Sequence, residues 1–221
     1  MGEYTEDFSK RNEVVIQAGS ATLRGFLDIP EGTQSLVVFA HGSGSSRYSP
    51  RNNAVAATFR EGGLATLLMD LLTPEEETVD LETRHLRFDI PFLAQRLNDI
   101  TDWLRKQPEV KDFKIGYIGS STGAAAALVA AANNKKAVKA VVSRGGRPDL
   151  AGDSLPLVAA PTLLIVGSND FQVLELNKEA LAELQAEKKL EIVPGATHLF
   201  EEPGTLEEAA RLAKDWFVQH L

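Results

Sequence analysis

A chain of 221 residues that is 43% hydrophobic and 24% charged has room for one domain with a substantial core. Its 31 acidic residues outnumber its 23 basic ones, giving a net charge of −8 with no basic stripe, which argues against nucleic acid as the main partner. The absence of cysteine excludes a disulfide framework and any cysteine-based metal or redox centre, and it suits a reducing cytosol.

The first ten residues, MGEYTEDFSK, are acidic and polar, unlike a signal peptide. No apolar run approaches the roughly 18 residues needed to cross a bilayer. The expectation is a cytoplasmic protein, away from membranes, with one domain over residues 1–221.

Residues 13–18 and 21–29 alternate apolar and polar side chains around Gly19-Ser20, which predicts an antiparallel hairpin. Leu36 to Ala40 (LVVFA) is a continuous apolar run, the pattern of a strand covered on both faces. It runs into His41-Gly42-Ser43-Gly44-Ser45-Ser46, a loop of small residues. A helix is expected over 53–61, closed by Gly62-Gly63, and a buried strand over 64–72. Residues 73–82 are acidic and read as an exposed excursion. Residues 88–106 carry Ile90, Leu93, Leu97, Ile100 and Leu104 at helical spacing.

At 114–132, KIGYIGSSTGAAAALVAAA, an apolar strand meets Gly119-Ser120-Ser121-Thr122-Gly123 and then an alanine-rich helix. Strand, G-x-S-x-G and helix in succession form the signature of a nucleophile elbow. A reversal that tight forces Ser121 into a strained backbone conformation and leaves no room for side chains two positions either side. The hydroxyl then stands at a helix N-terminus, where unpaired N–H groups favour developing negative charge. A glycine-rich dinucleotide turn through Gly116, Gly119 and Gly123 is the competing reading. That turn normally follows the first strand and has an acidic residue about 20 positions on, where this chain offers Lys139.

Further strands are expected over 138–143, 161–167 and 190–193, with helices over 173–185 and 206–219. Strands alternating with helices imply an α/β fold with a mostly parallel sheet. Ligands of such sheets bind at the carboxyl ends of the strands. The polar residues fall there: His41 to Ser46, Ser121, Arg144 to Arg147, Asp170 and His198.

A serine hydroxyl needs a base, and the base needs a carboxylate to orient it. His198 follows the last strand and comes after both Ser121 and Asp170, whereas His85 and His220 read as solvated surface residues. Asp170 closes a buried strand, and its alternative use is a turn or helix cap. Asp70 competes for the role of acid, but it precedes the serine and breaks the expected Ser…Asp…His order.

The runs Val37-Val38-Phe39-Ala40-His41-Gly42-Ser43-Gly44, Gly119-Ser120-Ser121-Thr122-Gly123, Gly167-Ser168-Asn169-Asp170 and Gly195-Ala196-Thr197-His198 together resemble the α/β-hydrolase superfamily. The likeness is greatest to its small, cap-less, dienelactone-hydrolase-like branch. That resemblance implies an eight-stranded, mostly parallel sheet flanked by helices on both faces, with the antiparallel hairpin at one edge. It implies Ser121 as nucleophile, His198 as base and Asp170 as acid. It also implies an oxyanion hole from the backbone N–H of Thr122 and of Ser43, with Gly44 the alternative second donor. His41 would brace the oxyanion loop.

Dienelactone hydrolases proper carry cysteine at the elbow, so serine here shifts the expected substrate from lactones to a small-molecule ester or thioester. No metal or other cofactor is expected. Arg47, Arg51, Arg144 and Arg147 lie near strand ends, where one or two could bind a substrate carboxylate or phosphate; otherwise they would pair with the acidic segment 75–80. Two other functions share these residues: acyl transfer or perhydrolysis by the same triad, and a catalytically silent binding module.

Overall fold

The computed structural model describes residues 11–221, so the expectation about residues 1–10 falls outside it. Eight strands form one sheet: β1 (Glu13–Ala18), β2 (Ala21–Asp28), β3 (Ser35–Ala40), β4 (Ala65–Met69), β5 (Lys114–Ser121), β6 (Val138–Gly146), β7 (Thr162–Gly167) and β8 (Lys188–Val193). Their order is β1-β2-β4-β3-β5-β6-β7-β8. β2 is antiparallel to both β1 and β4, and every other pairing is parallel. The helices are α1 (Pro50–Glu61), α2 (Pro74–Thr83), α3 (Ile90–Leu104), α4 (Thr122–Asn133), α5 (Phe171–Glu183) and α6 (Thr205–His220).

Side chains alternate across each strand, so the continuous apolar run of β3 serves two cores at once. Leu36, Val38 and Ala40 join the cluster under α3, α4 and α5. Val37 and Phe39 join the opposite cluster, under α1 and α6, where Phe59 meets Phe217 edge-on at 5.5 Å. Gly116 belongs to this packing. A Cβ there would lie 2.6 Å from a ring carbon of the fully buried Phe217, so the glycine seats α6 on the sheet. That use, in mid-strand, overturns the dinucleotide-turn reading of Gly116, Gly119 and Gly123.

The structure differs from the sequence reading at several points. α1 begins at Pro50, ahead of the expected Asn53, because Ser49 caps it and proline suits the first helical turn. The acidic excursion is itself a helix, α2, held by a capping box in which Thr73 and Glu76 bond each other's backbone. β4 ends at Met69, while β6 runs on to Gly146. His220, expected in solvent, has a side chain only 11% exposed and packs on Trp216 with ring centroids 4.3 Å apart. Among the described residues, no helix is long and apolar enough to cross a membrane.

Candidate active site

The carboxyl ends of β3, β5 and β6, the start of α1 and the loop after β8 meet around one cavity of about 180 Å³. Its wall includes Gly42, Ser43, Ser120, Ser121, Arg144, Gly145, His198 and Phe200. Ser121 sits where β5 turns into α4, with φ 50° and ψ −125°, a conformation that L-residues rarely adopt.

The glycines on either side of Ser121 make the bend possible, each in its own way. A Cβ on Gly119 would lie 2.4 Å from the Ala124 Cα, inside the first turn of α4. On Gly123 it would lie 2.2 Å from the Ala40 carbonyl oxygen, so that glycine lets α4 press against the end of β3. The Ser121 side chain makes no capping bond to its own helix.

Asp170 and His198 arrive on two loops that are stitched together. The Ser168 and Asn169 amides donate to the carbonyls of Val193 and Ala196 at 3.0 and 2.9 Å, and the Gly195 amide donates to the Ser168 hydroxyl at 2.8 Å. Gly167 allows this approach, since a Cβ there would be 2.2 Å from the Ala196 carbonyl. The result is a 2.7 Å hydrogen bond between His198 Nδ1 and Asp170 Oδ2. Gly145, at φ +53°, admits the His198 loop from the other side; a Cβ there would be 3.0 Å from the His198 carbonyl oxygen. The described residues show no hydrogen bond between the Ser121 hydroxyl and His198.

The loop after β3 lies directly on the elbow, with a Gly42 Cβ position only 3.0 Å from the Ser121 Cβ. Thr122 opens α4, so its amide has no acceptor within the helix. The hydroxyls of Ser43 and Thr122 are 3.0 Å apart, tying together the two residues expected to donate backbone N–H groups to an oxyanion. Ser43 also reaches the Arg87 carbonyl at 3.3 Å. His41 fixes the loop from beneath. Its Nε2 accepts from the Leu71 amide at 3.0 Å, which leaves Nδ1 to donate to the Gly42 carbonyl at 2.9 Å. Burial holds its pKa below 6.5, in favour of that neutral form.

Asp70, the competing acid, is occupied elsewhere: Arg47 binds it through both its guanidinium and its backbone amide. The arginines separate accordingly. Arg47 pairs with Asp70 and Glu13, Arg147 forks onto Asp149 at 2.8 and 2.7 Å, and Arg51 reaches Glu201 at 3.2 Å. None of them pairs with the acidic segment 75–80, whose Glu76 and Asp80 bind Arg96 and Arg87 instead. Arg47 and Arg147 are therefore committed to carboxylates of the protein itself. Of the four candidate arginines, Arg144 and Arg51 line the cavity, and Arg47 and Arg147 do not.

Two residues that the sequence reading missed hold Arg144 in place. Asn52 Oδ1 and Ser120 Oγ accept from its Nη2 at 2.9 and 3.0 Å. Ser120 was legible as the neighbour of Ser121; Asn52, at the start of α1, carries no local signal.

The model for the dienelactone hydrolase family matches residues 23–221. The crystal structure of a dienelactone hydrolase from Anabaena variabilis is 57% identical and superposes with a TM-score of 0.94, over 96% of this chain and 98% of that one. Est1E from Butyrivibrio proteoclasticus shares the fold at 19% identity, with a TM-score of 0.78 over 94% of this chain and 98% of its own. Two curated proteins of Mycobacterium tuberculosis, provisionally named phosphoribosyl transferases, are 59% identical over 209 residues. That match takes in 95% of this chain but 46% of theirs, so the chain spans about half the length of these relatives.

Proposed function

The chain belongs to the dienelactone hydrolase family, and from that premise we propose that it is a serine hydrolase cleaving a carboxylic ester or related acyl bond through an acyl-enzyme on Ser121. One observation carries the reading: the 2.7 Å Asp170–His198 bond opens onto the same cavity as a serine held at φ 50° on a strand-to-helix bend.

In this mechanism Ser121 Oγ attacks the carbonyl carbon as His198 Nε2 takes its proton, a contact that substrate binding must close. Asp170 holds the ring with Nδ1–H toward itself and stabilises the imidazolium. The oxyanion lies between the amides of Thr122 and Ser43, each donor contributing about 3–4 kcal/mol to the transition state. His198 then gives its proton to the leaving group as the carbon–oxygen bond breaks. Water, deprotonated by the same ring, releases the acid and restores Ser121.

The longer mycobacterial relatives bear a transferase name. We assign hydrolase chemistry to the segment they share with this chain, because the family model takes in residues 23–221 of it. Hydrolysis of 4-nitrophenyl acetate tests the reading. Ser121→Ala and His198→Ala should each lower kcat/KM by at least about 10⁴-fold. Turnover that survives both substitutions contradicts it.

A further inference from the structure

Arg144 poses a problem that the acyl-transfer machinery leaves unsolved. It is 6% exposed, yet no carboxylate of the described residues pairs with it, and its Nη1 is buried without a hydrogen-bond partner. Its contacts are the two neutral acceptors on Nη2, Asn52 and Ser120, and the Phe200 ring, over which the guanidinium carbon lies 6.0 Å from the centroid. A guanidinium stripped of water and left without a counter-charge is costly, and Arg47 and Arg147 avoid that cost by pairing. Burial, reinforced by the positive charge of Arg51, pushes its pKa down to about 10, so it stays charged at neutral pH.

The surroundings add further positive potential. Ser49, Arg51 and Asn52 line the same cavity at the N-terminus of the 12-residue α1, which carries no acidic residue in its first turn. Arg51 is half exposed, and its single tie, to the exposed Glu201, is of the kind that contributes little and exchanges readily. The register of the sheet puts Arg144 beside Ser120, one residue from the nucleophile.

Resting on the serine hydrolase reading, we propose that Arg144, Arg51 and the first turn of α1 form a subsite for a phosphate monoester group carried by the ester substrate. A dianion answers two guanidinium groups and a helix terminus, where a carboxylate would leave one positive charge unmatched. Because the subsite adjoins Ser120, the phosphate and the scissile carbonyl would be separated by only a short linker.

The test uses phenyl phosphate, with phenylacetate as the carboxylate counterpart, and measures binding to the full-length Ser121→Ala protein by calorimetry. Phenyl phosphate should bind at least about tenfold more tightly than phenylacetate. Arg144→Met and Arg51→Met should each weaken phenyl phosphate by roughly tenfold or more, and Arg147→Met should leave it unchanged. Equal affinity for the two anions, or wild-type affinity in both Arg144→Met and Arg51→Met, overturns the proposal. Should Arg144→Met fail to fold by circular dichroism, the exposed Arg51 variant decides alone. Since binding is read without turnover, tight phenyl phosphate binding by a chain that hydrolyses no ester would sink the hydrolase reading and keep the subsite.

Discussion

Adding a single methyl group outside the cavity wall tests whether the two loops must touch for the site to work. In Gly167→Ala the new Cβ would lie 2.2 Å from the Ala196 carbonyl oxygen, closer than the 3.0 Å below which such contacts essentially never occur. The oxygen is backbone and a Cβ is fixed rigidly to its own Cα, so the loops bearing Asp170 and His198 must part by about 0.8 Å. Gly167 does not have a positive φ, which leaves the clash as the operative effect. Passed on to the side chains, that shift would stretch the 2.7 Å Asp170–His198 bond to about 3.5 Å, the outer limit of a hydrogen bond. The expected outcome is a loss of roughly 10²-fold in kcat, with KM for 4-nitrophenyl acetate little changed, and a stability cost of about 1–3 kcal/mol in urea unfolding. Loss of stability with full kcat would show that the stitched loops matter to folding alone, and would refute the reasoning.

The two rival carboxylates should separate cleanly. Asp170→Asn is expected to lower kcat by about 10⁴-fold at near-native stability. Asp70→Asn should keep most activity but lose on the order of 2 kcal/mol of stability, because the buried Arg47 keeps only the half-exposed Glu13 as an ion-pair partner. The reverse pattern would transfer the acid's role to Asp70. For His41 the sign follows from its depressed pKa. The neutral ring's contribution is complete above pH 6.5 and fades as pH falls below that value, where the unfolded chain takes up the proton first. The gap in melting temperature between wild type and His41→Gln should therefore narrow from pH 7 to pH 5; a constant gap would contradict the neutral brace.

How much of this was visible in the chain depended on how local each cause is. The elbow was legible because its determinants, an apolar strand, Gly119, Ser121, Gly123 and the alanine run, lie within one short stretch. Chain order then pointed to Asp170 over Asp70, and the charged surroundings of His85 left His198 as the base. The start of α1 was also written locally, in Ser49-Pro50, and α2 in Thr73 and Glu76. There the run of carboxylates drew attention to charge and away from the capping pattern. The partners of the arginines were not legible. Arg47 and Asp70 are 23 positions apart, and Arg144 and Asn52 are 92 apart, so only the folded sheet brings them together. His220 misled for the same reason, since a C-terminal helix packed through Trp216 buries a residue that its position alone would leave in water.

Every catalytic role proposed for this cavity depends on Ser121 being an activated nucleophile, and a fluorophosphonate reads that out at the atom concerned. Intact-mass and peptide-mapping spectrometry should find one equivalent of adduct on Ser121, absent from Ser121→Ala and formed much more slowly in His198→Ala. A folded wild-type protein that gains no mass, or gains it on a different residue, would contradict the central claim.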